Sequence, residues 1–175
     1  MSWNDFYRRR DVLEAVLRQA RHNPAGSLPF AEVPGAEEAF GTRENLLLAL
    51  HYKWTQLLSG HLRAGVAGPE DADGVPGGND IDHVDAVSNA WRTAVRDNET
   101  LRAVLDAHAD RLGPVREAEQ RMLAVTAGLA EPHEPAAEAT KVGAAFETLL
   151  RNGPAKPARR RNPVGHLLRL LAPSA

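Results

Sequence analysis

The stretch TRENLLLALHYKWTQLLSGHLRAGV, from Thr42 to Val66, decides the fold. At about 100° per residue, Leu47, Leu50, Trp54, Leu57, Leu58, His61 and Leu62 share one broad face. Tyr52, Lys53, Gln56, Ser59 and Arg63 lie opposite. Thr42 stands where a helix N-cap belongs, its hydroxyl able to accept from a first-turn N–H, and Glu44 sits near the positive end of the helix dipole. The spacing predicts a long helix over 43–66 that forms the spine of a core.

The rest of the chain agrees in kind. Of its 75 apolar residues, 29 are Ala and 21 are Leu, against one Ile and nine aromatics. Ala and Leu favour helices, and the β-branched and aromatic enrichment of strands is missing. The fold class read from the sequence is all-α, an antiparallel bundle of about six helices. Ser2 caps a first helix from Trp3 to about Arg21, with Phe6, Leu13, Val16, Leu17 and Ala20 recurring at helical spacing. Asn23-Pro24 ends it, because the residue before proline disfavours the α region. Residues 23–41 carry three prolines and read as a loop packed down by Leu28, Phe30, Val33 and Phe40, with one helical turn at Glu37–Phe40.

Residues 67–81 are rich in Gly, Asp and Pro and read as a solvated linker. Asp82 caps a third helix with Val84, Val87, Trp91 and Ala94 inward. Asn98 starts a fourth, bearing Leu101, Val104, Leu105, His108 and Leu112. Pro114 opens a fifth, whose Val115, Ala118, Met122, Val125 and Leu129 form an apolar stripe, and a sixth turns Ala139, Val142, Phe146, Leu149 and Leu150 inward. Asn152-Gly153-Pro154 stops it. The bundle domain is thus expected over 1–152, with a basic linker and a short amphipathic C-terminal helix in 153–175.

That terminal segment differs in charge. The whole chain carries 21 Lys and Arg against 23 Asp and Glu. From Arg151 onward there are six positive residues and no acid, so residues 1–150 sum to −8. Arg159, Arg160 and Arg161 precede Leu167, Leu168 and Leu171, which gives a basic segment followed by an amphipathic one. These six are the candidate partner-binding residues, since such a segment suits a partner's groove, an acidic membrane surface, nucleic acid or the protein's own bundle.

The absence of Cys excludes disulfides, thiolate metal sites and cysteine catalysis. Phosphate-binding Gly-rich loops, the dinucleotide fingerprint, the Gly-x-Ser-x-Gly elbow and His-Glu-x-x-His are missing too, which argues against an enzyme. No catalytic residue and no cofactor is assigned. His51, His61 and His108 fall on or beside apolar helix faces, and three imidazoles converging between helices would hold a divalent metal. The plainer alternative is that each is a half-buried polar group bonded to a neighbour. Glu70, Asp71, Asp73, Asn79, Asp80 and Asp82 supply oxygen ligands, but no Glu closes a calcium-loop frame. Trp3, Phe6 and Tyr7 beside Arg8, Arg9 and Arg10 have the residue types that stack bases and hold phosphates. They equally suit a helix start pinned to the core, with the arginines paired to Asp5, Asp11 and Glu14. No long apolar run and no leader-like apolar segment is present, so a cytoplasmic location is the expectation.

The segment Phe40-Gly41-Thr42-Arg43-Glu44-Asn45-Leu46-Leu47-Leu48-Ala49-Leu50 resembles the junction where TetR-type repressors pass from the DNA-binding headpiece into the fourth helix. Arg10-Asp11-Val12-Leu13-Glu14-Ala15-Val16 is similar to that family's first helix. The resemblance covers roughly residues 10–50 and implies an all-α ligand-binding or dimerising half. The family places two helices, one entering the major groove, where this chain has only Asn23–Ala39 with three prolines. It therefore implies a bundle that has lost DNA reading. The leading expectation is a non-enzymatic, regulatory helical protein acting through protein–protein contacts, with a homodimer or a small ligand as further partners. The alternatives are a metal- or ligand-binding bundle using the three histidines, and nucleic-acid binding through the basic segments.

Overall fold

Every regular element among the residues that the computed structural model describes, 3–66 and 83–153, is a helix. In order these are α1 (Trp3–Ala20), α2 (Ala36–Phe40), α3 (Arg43–Val66), α4 (His83–Asp97), α5 (Glu99–Ala107), a 3-10 turn (Ala109–Arg111), α6 (Gly113–Thr126) and α7 (Ala136–Asn152). The all-α reading holds. The proposed caps Ser2 and Asp82, the acidic 67–82 stretch and the basic Leu-rich tail lie outside the described residues.

The start of α3 is closed as its sequence requires. Thr42 Oγ1 accepts from the Asn45 N–H at 3.1 Å, and Asn45 Nδ2 donates to the Phe40 carbonyl at 2.9 Å, fixing the corner between α2 and α3. Gly41 takes φ +74° at that corner, a conformation that a side chain would strain. Leu46, Leu50, Trp54 and Leu58 of α3 are fully buried and meet Val16 of α1, Val87 of α4, Val104 of α5 and Leu123 of α6 in one cluster. Each such side chain contributes roughly 1.5–3 kcal/mol of transfer free energy. The Pro-rich connection packs down as expected, with Leu28, Val33 and Phe40 buried.

α6 and α7 run antiparallel, because Arg121 meets Thr140, Gln120 meets Gly143 and Arg116 meets Glu147. A Cβ at Gly143 would overlap the Gln120 carbonyl, so the two backbones touch there and only glycine fits. α3 and α6 run in the same direction, with Trp54 beside Glu119 and Ser59 beside Met122.

Several inward assignments are corrected. Phe6 does not face the core; it is 54% exposed. Leu149 also points outward, since α7 buries Phe146, Glu147 and Leu150 instead. α6 is rotated by about one residue from its apolar stripe: Glu119 and Leu123 are buried, Val115 and Met122 are half-buried, and Ala118 is exposed. Leu129 is not on the helix at all. Gly128 adopts φ +69°, and the Leu129 N–H returns to the Ala124 carbonyl at 2.9 Å, a left-handed cap that ends α6. No helix among the described residues is long and apolar enough to cross a membrane.

Candidate functional site

The core contains a charged centre built by five helices, α3 to α7. Arg102 of α5 is 5% exposed, Glu119 of α6 is 4% and Glu147 of α7 is 2%. Moving such groups out of water costs several kcal/mol each, so their persistence needs nearly complete pairing. That pairing is present. Arg102 Nη1 donates to Glu119 Oε1 and Nη2 to Glu147 Oε1, both at 2.7 Å, while Nε donates to Asp106 Oδ1 at 3.1 Å. Its guanidinium carbon stands 5.1 Å from the Trp54 ring centroid and 5.8 Å from that of Trp91, within cation–π range of both.

The two glutamates are saturated. Trp54 Nε1 donates to Glu119 Oε1 at 2.9 Å, and His51 Nε2 donates to Oε2 at 3.2 Å. Gln120 Nε2 donates to Glu147 Oε2 at 3.0 Å, and Arg151 Nη2 donates to Oε1 at 2.7 Å. Arg151 also grips Asp106 with two bonds of 2.7 and 2.8 Å, carrying the network out to a half-exposed rim. Burial pushes the Glu119 carboxyl up, but the His51 hydrogen bond, the Arg102 charge and the Trp54 bond outweigh it and hold it below its ordinary value. For Glu147, burial is likewise outweighed by Gln120, Arg151 and Arg102. Asp106 is also held down, burial being overcome chiefly by Arg151 and Arg102. Three carboxylates thus stay ionised around arginines whose hydrogen bonds they consume. The arrangement can lock α3, α5, α6 and α7 together, and it leaves the two buried glutamates no idle oxygen for a ligand.

The histidines do not form the convergent set that the metal reading requires. His51 is buried and committed to Glu119, His61 is half-buried one helical stretch further along α3, and His108 ends α5 with a buried Nε2 that meets no hydrogen-bond partner among the described residues. Among the described residues no group of three or more His, Asp or Glu side chains is placed to hold a metal ion. Glu119, Glu147 and Arg102 were not singled out by the sequence. One signal was available, namely that Arg102 sits one position after Leu101 and two before Val104, inside the apolar run Leu101–Leu105 of a short helix.

The α1 end has the opposite character. Trp3 is 77% exposed and Tyr7 46%, and with Phe6 they form a ring cluster outside the core. Trp3 stacks near Tyr7 at 6.3 Å between centroids, and Phe6 meets Tyr7 edge-on at 5.7 Å. These rings do not pin the helix start to the core. Arg9 lies over the Phe40 ring at 5.4 Å, and Arg10 lies over Tyr7 while bonding Asp11 and approaching Glu14. Arg8 borders two clefts of about 670 and 140 Å³ that continue past Pro34 and Glu38. A third cleft of about 520 Å³ lies between the end of α1 and the α4–α5 corner, and a fourth of about 580 Å³ between α3 and α6. These four clefts are lined by residues outside the charged centre.

The chain matches no family model, no curated protein and no solved structure. Between α1 and α3 the described structure has one helix, the five-residue α2.

Proposed function

We propose that this is a non-enzymatic regulatory protein of the cytoplasm that works by protein–protein contact, with the Trp3, Phe6 and Tyr7 face of α1 as its contact surface. The single observation that carries the reading is the split between a saturated, buried charged centre and a ring cluster left in water at the chain's N-terminal helix. Trp, Tyr and Arg are the residue types that dominate binding energy at protein interfaces, because they bury large area with few rotamers to freeze. Leaving three rings exposed is costly in solvation unless a partner covers them.

Nucleic-acid binding through Arg8, Arg9 and Arg10 is less well supported. Arg9 and Arg10 are already engaged over aromatic rings, and Arg10 also by Asp11, so they do not form a free stripe for phosphates. A TetR-like bundle that has lost DNA reading remains compatible with the contact role, since such a bundle would act through ligand or partner.

The test is site-specific photo-crosslinking in cells. A photoreactive phenylalanine analogue at position 7 of the full chain should give an adduct of defined protein mass, absent when the analogue stands at the exposed Lys141 position on α7. Adducts no stronger at position 7 than at position 141 reject the contact surface. An adduct that nuclease removes transfers the face to nucleic acid.

A further inference from the structure

The rotation of α6 leaves an apolar seam without a cover. α3 and α6 run side by side, and Leu62, Val66 and Met122 line a groove of about 580 Å³ between them with Ser59, Thr126 and Arg63. Nearer the start of α6, Val115 is half-buried and Ala118 exposed. Part of the stripe that reads as core in the sequence is therefore left half-exposed, although Val115 and Met122 still pack against the core's edge. We propose that the groove between α3 and α6 is the docking site for this chain's own segment Val164–Leu171, which lies outside the described residues.

Three observations select that occupant. The first is composition. Val66, the last residue of α3, lines the groove, but residues 67–82 offer only Val75 and Ile81 as large apolar side chains, whereas Val164–Leu171 has Val164, Leu167, Leu168, Leu170 and Leu171. The second is reach. α7 ends at the level where α6 begins, as Glu147 meets Arg116 and Gly143 meets Gln120. From there the groove at Met122 and Thr126 is about 15–20 Å down the axis and about one helix diameter, roughly 10 Å, around α6. The ten residues 154–163 span up to about 33 Å when extended, which covers the path. The third is charge. That linker carries Lys156 and Arg159–Arg161 and no acid, whereas residues 1–150 sum to −8, five of the acids lying in the 67–82 stretch, and the exposed Glu117 of α6 has the Arg121 guanidinium at 4.0 Å. Tethering makes the association intramolecular, so a short apolar segment too weak to fold or bind alone can dock.

This inference is independent of the contact role given to α1. It is tested in the full chain, which has no native Cys. A variant carrying Ser59→Cys and Leu168→Cys, oxidised at low protein concentration, should form a disulfide within one molecule about tenfold faster than the control pair Lys141→Cys and Leu168→Cys. A disulfide linking two molecules gives the groove to a second copy and overturns the proposal. Faster bonding of Ser59→Cys with Val75→Cys gives it to the 67–82 stretch and also overturns it. Equal rates for test and control pairs overturn it as well. As a second measurement, Leu167→Ser with Leu168→Ser and Leu171→Ser should raise amide exchange at the ends of α3 and α6 by about tenfold and leave the middle of α5 unchanged. Unchanged exchange at those ends rejects the docking.

Discussion

The charged centre around Arg102 and the aromatic end of α1 divide the molecule's polar and apolar logic the wrong way round. Charges sit where oil is expected, and rings sit where water is. The two cases differ in what surrounds them. Arg102 is held by three carboxylates and two indoles supplied by α3, α4, α5, α6 and α7, so its desolvation is offset by partners already in the fold. Among the described residues, the ring contacts of Trp3, Phe6 and Tyr7 are with one another and with Arg10. A buried charge that is fully paired is thus an internal clamp, whereas an exposed ring cluster adds nothing to the core and is the face for which a contact role is proposed. Each of the following changes should break or sharpen that division.

The largest effect is expected at Arg102. Arg102→Ala strands Glu119 and Glu147 in the core, and should cost about 3–5 kcal/mol in chemical denaturation. Arg102→Met with Glu119→Gln and Glu147→Gln, which removes charge from all three buried groups together, should recover much of that loss. A single substitution that costs less than the triple one would show that the clamp does not depend on mutual pairing.

Acid should act next. The carboxyls of Glu119, Glu147 and Asp106 all lie below their ordinary values in the folded protein. A depressed folded value means that the unfolded chain binds protons first as pH falls. Their contribution is therefore complete above the unfolded carboxyl range, about pH 4–4.5, and is lost progressively as pH drops through the folded values. Urea midpoints measured from pH 7 down to pH 3 should fall steeply below pH 4.5 in the native chain. They should fall less in the triple variant, which lacks two of the three carboxylates. Parallel curves would place the acid sensitivity outside this centre.

How much of this was legible in the sequence follows from where each pattern ends. The α3 spine was, because Thr42, Glu44 and the Leu47 to Leu62 face are local signals that agree with one another. The charged centre was not. Apolar periodicity assigns Glu119 to the solvent side by type, and nothing within α6 announces that Trp54 and Arg102, 65 and 17 residues away, will meet it. Once Glu119 turned inward, α6 had to rotate, and the Val115, Ala118 and Met122 stripe that read as core was left half-buried or exposed. Leu129 was misassigned for a simpler reason, since Gly128 directly before it is a helix stop. Phe6 was read inward because its spacing fits Leu13 and Val16, but the body it would pack against does not extend to the first turns of α1. The three histidines lay on apolar faces as read, yet the network claimed His51 for Glu119, and spacing alone carries no information on that.

The indoles flanking Arg102 offer a finer test, because they share a cation but not a hydrogen bond. Trp54 Nε1 donates to Glu119, whereas Trp91 Nε1 is buried and meets no acceptor among the described residues. Trp54→Phe removes a donor from a buried carboxylate and should cost about 1.5–3 kcal/mol. Trp91→Phe removes a donor that satisfies nothing, so its loss should be the smaller by at least about 1 kcal/mol, confined to lost packing and cation–π attraction. Equal costs in thermal denaturation would mean that the indole N–H of Trp54 is not what holds Glu119.

At the other end of the scale, Trp3→Ser, Phe6→Ser and Tyr7→Ser should each change stability by no more than about 0.5 kcal/mol, as surface substitutions away from the core do. That near-neutrality is the point of the measurement. If the ring cluster were part of the fold, removing it would resemble truncating a core aromatic, about 3–5 kcal/mol. A chain that keeps its melting temperature when all three rings are gone, and loses the crosslink from a photoreactive group placed at position 8, separates what folds the protein from what it presents. A fall of several kcal/mol instead would join α1's rings to the core and remove the exposed face on which the contact role rests.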